Sequence, residues 1–430
     1  MFPRRDFLSA AAASSLATIA ARQTLANQTE QAKLPTVRIG MMGLNRGAAI
    51  ATEFAKLPNV EVTILCDADR GRAESFQRAL YQQSEVKTKV TTDFRDILKD
   101  DSIDALVCAA PNHWHGLATI LACKAGKHVY VEKPCSHNPL EGELMIAAAQ
   151  KYERCVQMGT QRRSGPVVRE AIQKLHDGAI GPVHLSRSYY NNVRGPIGRG
   201  KPATPPAGLD YDLWQGPAPH REFRDNILHY NWHWFWHWGG GELANNGVHS
   251  LDIARWGLQA DFPVRAISLG GRYWYDDDQE TPDTQTAVFE FPNEKQIMWG
   301  STSCNKHDVN PFLVFYGEKG SMELDANGAH RIFDRNEKMV EDVKGGSDGL
   351  AEHLTNFVTA IRSNDPSLLN QPITSGHRST LLCHLGNIAL RSGRTVNCDS
   401  QSGHILNDTQ QQALWQREYE PAWRDAILNV

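Results

Sequence analysis

Runs of apolar residues alternate with amphipathic stretches from Thr36 onward, and the periods switch between two and about 3.6 as they do where strands hand over to helices. Val37 to Met42 is an apolar run, a glycine turn follows, and Ala48 to Leu57 has helical spacing. Val60 to Cys66 predicts a second strand ending at Asp67, and Arg70 to Tyr81 a helix rich in Ala, Glu and Arg. Asp104 to Ala110 predicts a short buried strand, Leu117 to Ala125 a helix closed by Gly126, and His128 to Val131 the next strand. This alternation predicts a doubly wound parallel sheet over residues 36–155, an N-terminal Rossmann domain.

After Val156 the texture changes. Gly- and Pro-rich stretches such as Arg194 to Gly208 separate β-type runs at Val183–Tyr190, Val264–Tyr273, Thr286–Phe291, Gln296–Thr302 and Phe312–Tyr316. They predict a second α/β domain, 156–398, with a large, mostly antiparallel open sheet and one face on helices. Glu352 to Arg362 and Ser379 to Ser392 are helical in period, with Gly393 as the stop, and the late helices can pack back on the first domain; 399–430 is read as a C-terminal tail.

The first 26 residues have another character. Arg4-Arg5-Asp6-Phe7-Leu8 precedes an Ala-rich apolar core and a small-residue end at Thr24-Leu25-Ala26, the order of a twin-arginine export signal, and the core is too short for a permanent membrane span. A periplasmic or otherwise exported protein is expected. Among 430 residues, 41% hydrophobic and 22% charged with net charge −4, no basic arm speaks for nucleic acid. The eight cysteines are scattered in apolar runs, which supports neither a disulfide framework nor a zinc pattern.

Chemistry enters at the strand ends. Gly40, Gly43 and Gly47 mark a strand-to-helix turn whose amides can face a pyrophosphate, and from Gly43 the third and sixth places hold Asn45 and Ala48. Gly43, Leu44, Asn45, Arg46 and Gly47 are thus candidate cofactor contacts. Asp67, about 20 residues on, is placed for the adenosine ribose hydroxyls and against a 2′-phosphate, so NAD is expected and NADP disfavoured, with Arg70 and Arg72 softening the preference.

Gly126-Lys127-His128-Val129-Tyr130-Val131-Glu132-Lys133-Pro134 resembles the strand and Glu-Lys-Pro motif of the glucose-fructose oxidoreductase and inositol dehydrogenase family (Gfo/Idh/MocA). The resemblance implies that Lys133 lies beside the nicotinamide and the substrate hydroxyl, with Glu132 nearby. Pro111-Asn112-His113-Trp114-His115 resembles the family's segment lining the nicotinamide side, through Pro111, Asn112 and His115. Gly239-Gly240-Gly241-Glu242-Leu243-Ala244-Asn245-Asn246-Gly247-Val248-His249-Ser250-Leu251-Asp252 resembles the second motif and implies catalytic roles at Asn245 and His249. At i and i+4 the two share a helical face. The family usually has aspartate where this chain has Asn245, and an amide cannot take a proton, so His249 becomes the leading base with Lys133 on the hydroxyl oxygen; Asp252 and Glu242 are the carboxylates available to replace the missing acid.

Between the motifs, Trp232-His233-Trp234-Phe235-Trp236-His237-Trp238 offers indole faces for sugar rings or for an interface. Trp232, His233 and Trp234, with Tyr190 and Arg163, complete the candidate substrate contacts. His113 and His115 lack further ligands at useful spacing, so no metal is expected. The reading is an exported NAD-dependent oxidoreductase, a dehydrogenase acting on the CH–OH group of a carbohydrate or polyol with a tightly held cofactor, and a homo-oligomer. Its rivals are a redox-neutral NAD-dependent sugar epimerase or glycosidase and a non-catalytic sugar-binding protein on the same fold.

Overall fold

The computed structural model describes residues 34–307 and 311–430. The arginine pair and the rest of the candidate export signal lie outside the described residues.

Six strands form the first sheet: β1 Val37–Met42, β2 Val60–Cys66, β3 Lys89–Thr91, β4 Ala105–Cys108, β5 His128–Val131 and β6 Val156–Met158, in the order β3-β2-β1-β4-β5-β6. All pairs are parallel. Every residue of β4 and β5 is buried, because helices cover both faces of a parallel sheet. One face carries the helix Arg46–Phe54 and, from far along the chain, Leu350–Ser363, where Phe54, Tyr130 and Phe357 meet edge to face. The other carries Asn112–Lys124 and Pro139–Lys151. The C-terminal run is also part of this layer: helix Pro421–Leu428 lays Trp423 against Phe94 and Trp114 and buries Ile427.

The second sheet is larger. Its strands are β7 Val183–Val193, β8 Arg265–Gly271, β9 Thr284–Phe291, β10 Lys295–Thr302, β11 Cys304–Asn305, β12 Leu313–Gly317, β13 Gly320–Leu324, β14 His330–Asp334, β15 Met339–Val343 and β16 Val396–Asn397. The order is β15-β14-β13-β12-β7-β10-β9-β8-β16, with β11 paired to β7; among the described residues only β7 and β10 of this sheet run parallel. Ala287, Phe289 and Phe291 of β9 alternate into a core shared with the helices Val248–Gly257 and Ile373–Ser392, while Ile267 and Leu269 of β8 point to the open face. Gly393 caps the long helix in the left-handed region at φ 65°. All eight cysteines are free, and seven are buried. No helix among the described residues is long and apolar enough to cross a membrane.

Candidate active site

The strand order reverses at β1, between β2 and β4, and a cleft of about 360 Å³ opens there at the carboxyl ends. Gly43 leaves β1 at φ +86° with its N–H donating to the Cys66 carbonyl (2.8 Å), and a Cβ on it would lie 2.5 Å from the Ala110 nitrogen. Only glycine lets the turn pass so close to the end of β4. The helix that follows begins at Arg46, has no side-chain cap from Asn45 and no acid in its first turn, and Asn45 and Arg46 line the cleft, so its positive end stays open to an anion.

Asp67 closes β2. Its carboxylate accepts the Leu44 N–H (2.9 Å) and the Asp69 N–H (3.0 Å), and Arg72 stands 3.9 Å away. Burial raises its pKa against the opposing pull of those amides and Arg72. Two further lone-pair sites remain to accept hydroxyls. A glycine cradle, an uncapped helix start and a carboxylate at the next strand end fit a dinucleotide, and the carboxylate opposes a 2′-phosphate.

At the other end of the cleft, Lys133 follows β5. Its Nζ donates to the carbonyl (2.8 Å) and Oδ1 (3.3 Å) of Asn245, and Asn245 Nδ2 donates to the Tyr230 hydroxyl (3.3 Å). His249 lines the same space with Nδ1 buried and without a hydrogen-bond partner. Residues 243–247 form a π turn leading into the α-helix Val248–Gly257, and both Asn245 and His249 face the cleft. Burial lowers the Lys133 pKa, and burial together with the cations Arg162, Lys133 and Arg46 lowers that of His249 well below its ordinary value. Glu132 is buried, raised by that burial, and lies 3.7 Å from Arg46. The His115 ring is wedged between the Ala110 (2.8 Å) and Pro134 (2.7 Å) carbonyls, fixing the turn at Pro111 and Asn112 against the Lys133–Pro134 bend. Burial takes its pKa down to about 4 despite those two acceptors.

The segment between the two motifs covers the cleft. Leu209 bridges Asp69, Arg70 N–H donates to the Gly208 carbonyl (3.1 Å), and Asp210 N–H to the Ala68 carbonyl (2.9 Å), directly after Asp67. The Trp214 carbonyl accepts from His113 Nε2 (2.8 Å) and Trp114 Nε1 (3.1 Å), which fixes the His113 tautomer. Leu213, Trp214, His229 and Tyr230 thereby join the walls. Trp232 and His233 stack with centroids 3.5 Å apart and line the cleft, and the His233 Nδ1–H donates to the Tyr230 carbonyl (2.6 Å), leaving Nε2 as the acceptor.

Four expected contacts are not cleft walls. Arg163 is buried in an ion pair with Asp252 (2.9 and 3.0 Å) under the Trp256 ring, so its charge is spent inside the protein. The Tyr190 hydroxyl accepts from Asn192 and Arg194, and Trp234 lies buried beneath the Arg194 guanidinium. Gly47 is buried in the helix, 3.3 Å by its virtual Cβ from the Ala109 side chain. Neither substitute acid is free either: Asp252 is held by Arg163, and Glu242 by Arg194 and Asn246. Gln161, Thr92, Phe94 and Asp348 are walls that no motif marks. Away from the cleft, Glu170, His330 and Glu341 cluster closely enough for a metal, and the Lys174 ammonium already sits among them, 2.9 Å from Glu170 and 3.4 Å from His330.

An oxidoreductase family model with an NAD-binding Rossmann fold matches residues 37–160, and the GFO/IDH/MocA C-terminal domain model matches 213–323, together more than half of the chain. An inositol 2-dehydrogenase/D-chiro-inositol 3-dehydrogenase of Lactiplantibacillus plantarum is 30% identical over 164 residues, 38% of this chain and 45% of that protein. A glycosyl hydrolase family 109 protein of Saccharopolyspora erythraea is 29% identical over 161 residues, 36% of this chain and 35% of that protein. The match thus spans less than half the length of either curated relative. A solved levoglucosan dehydrogenase in complex with NADH and levoglucosan has the same fold, with TM-score 0.66 and 17% identity over 84% of this chain and 99% of that one. With both of its domain models present in order, the chain belongs to the GFO/IDH/MocA family of oxidoreductases and carries that family's NAD-binding Rossmann domain.

Proposed function

We propose that the protein transfers a hydride between a sugar or polyol hydroxyl and a tightly held NAD. The observation that carries this is the hydrogen bond of the Lys133 ammonium to Asn245 across the two sheets' domains, beside His249, at the inner end of a cleft whose outer end fits a dinucleotide. Gly43, Leu44, Asn45 and Arg46 would hold the pyrophosphate, Asp67 the adenosine ribose, and Pro111, Asn112 and His115 the nicotinamide side; bound there, NAD supplies the hydride acceptor or donor. Trp232 and His233 offer the sugar a ring face and an acceptor nitrogen.

The electrostatics favour a division of labour different from the one read in the sequence. Three neighbouring cations oppose an imidazolium at His249, so it serves as a neutral partner that orients the hydroxyl. Lys133, whose pKa burial lowers, is closer to the range of a working proton acceptor, and in its charged form it stabilises the developing alkoxide. Asn245 holds the lysine in place through both of its oxygens.

A panel of sugars and their keto derivatives, followed at the nicotinamide absorbance, tests this. Lys133→Met is expected to lower kcat by a hundredfold or more, on the order of a general acid–base contribution, with NAD still bound. An activity profile rising on a group above the ordinary imidazole range but below the ordinary ammonium value marks Lys133 as acceptor, whereas one below the imidazole range marks His249. Unchanged turnover in Lys133→Met defeats the proposal.

The covering segment Gly208–Tyr230 favours a second reading of the net reaction, in which NAD stays bound and is reduced and reoxidised within one cycle, giving epimerisation or glycoside cleavage. Denaturing the purified protein should release about one NAD per chain. The Arg4-Arg5 segment supports export with the cofactor loaded beforehand; a lysine pair in its place should leave the protein in the cytoplasm. The chain is further proposed to associate with its copies through the open sheet face, where Leu269 and Tyr273 are 74% and 70% exposed. Leu269→Arg should shift the sedimentation coefficient toward the single chain, and an unchanged value would exclude this face.

A further inference from the structure

Behind the covering segment lies a second cavity of about 460 Å³ that shares no wall residue with the NAD cleft. The tryptophan-rich ribbon separates the two: Trp232 and His233 face the cleft, Trp236 and His237 the second cavity. The C-terminal run closes it through Leu414 and Arg417. Three guanidinium groups reach its walls, from Arg221, Arg391 and Arg417. Arg417 donates through Nε to the Glu418 carbonyl (3.1 Å) and through one terminal nitrogen to the His237 carbonyl (2.9 Å); its other terminal nitrogen makes no hydrogen bond among the described residues. Arg391, exposed at the rim, makes none among the described residues and rests 5.3 Å from the Trp236 ring centroid.

The acids nearby neutralise them only in part. Glu280 accepts the Trp236 N–H (2.8 Å) and lies 3.7 Å from Arg221. Glu141 is tied to the His137 N–H, Asn138 and Tyr419, and burial brings its carboxyl up to about 7. Glu418 is exposed at the rim. His137 donates from Nε2 to the Trp236 carbonyl (3.0 Å) and turns Nδ1 to Arg417 (3.4 Å), so it adds no charge of its own; His237 and His384 are likewise neutral, taken down to about 3 by burial. Burial lowers the pKa of Arg391 and of Arg417, with Glu280 opposing it at the first and Glu141 at the second.

We propose that this cavity is a binding site for a small organic anion, with the carboxylate or phosphate gripped by the free N–H groups of Arg391 and Arg417 and the body of the molecule against Trp236, Ile388 and Leu414. Guanidinium forks match both oxyanions in geometry. The volume exceeds what a bare inorganic ion fills and lies in the range of small-molecule sites.

The test is isothermal titration calorimetry on the full chain with its cofactor, at low ionic strength. Glucuronate and glucose 6-phosphate are the carboxylate and phosphate arms, with inorganic phosphate and glucose as controls. Saturable binding of at least one organic anion at one site per chain, weakened about tenfold or more by Arg391→Gln and unaffected by Lys133→Met, is the expected result. Arg391 is exposed and makes no hydrogen bond among the described residues, so that variant should keep the wild-type melting temperature and NAD content. No saturation with either organic anion, tighter binding of inorganic phosphate than of both, equal affinity in Arg391→Gln, or weakening by Lys133→Met would each overturn the proposal. The last of these places the anion in the NAD cleft instead.

Discussion

Asp252→Asn separates a structural carboxylate from a catalytic one. Asp252 is fully buried and accepts two hydrogen bonds from Arg163 (2.9 and 3.0 Å), one from Gln371 (2.7 Å) and one from Ser379 (2.7 Å). Burial alone would raise its pKa, and the Arg163 charge together with those hydrogen bonds brings it below the ordinary value. The amide keeps one acceptor oxygen and puts an N–H where another donor already points, leaving a buried guanidinium without its counter-charge. Breaking one partner of such a pair costs about 3–5 kcal/mol. At about 2 °C per kcal/mol for a unit of this size, the melting temperature should fall by roughly 6–10 °C. The pair joins the 3₁₀ turn Gln161–Ser164, the helix carrying His249 and the long helix Ile373–Ser392, so activity should fall with stability and in part return at low temperature. Differential scanning calorimetry at pH 7 with parallel rate measurements decides it. A melting temperature within about 1 °C of wild type, with turnover abolished at every temperature, would show that Asp252 acts in the chemistry and that the clamp argument is wrong.

Gly43→Ala places a Cβ 2.5 Å from a backbone nitrogen at a φ of +86°, so NAD content should drop about tenfold or more, measured after denaturation; full occupancy would refute the cradle. Buried histidines set an acid limit. Burial takes His115, His128, His353 and His377 down to about 4 and His233, His237 and His384 to about 3. Below about pH 6.5 the unfolded chain binds protons that the folded one refuses, so stability is full above that pH and falls as it drops toward 4. Urea midpoints at pH 7.5, 6.5, 5.5 and 4.5 should decline in that order, and a flat series would contradict the assignment.

Much of the first domain was legible because its signals are local. β1, β2 and β5 coincide with their apolar runs, and the Lys133 and His249 motifs converge on one cleft. The hairpins β13 to β15 were not marked, since strands of five residues with partial alternation give too short a window for the period. Arg163 was misplaced because the partner that occupies it is 89 residues away, on another element. The run after Cys398 lacks long periodic segments, yet Trp423 and Ile427 belong to the Rossmann core.

The cover over the cofactor was illegible for a different reason, which bears on turnover. It is attached at Ala68 and Arg70 by main-chain hydrogen bonds, which carry no side-chain signature, and at His113 and Trp114 by a carbonyl any residue could supply. Each such bond contributes about 1 kcal/mol net, and the aromatic packing of Trp214 on Tyr211 and Trp238 adds to them. An NAD molecule entering along the sheet edge would therefore have to wait for several contacts to open together, and one already inside would have to wait equally long to leave. A site that exchanged its cofactor at every turnover would be slowed by this arrangement, whereas one that returns the hydride to the same or a second sugar would not. Under the export proposed above, a cofactor held beneath Gly208–Tyr230 would travel with the folded chain, and the receiving compartment would not need to supply another.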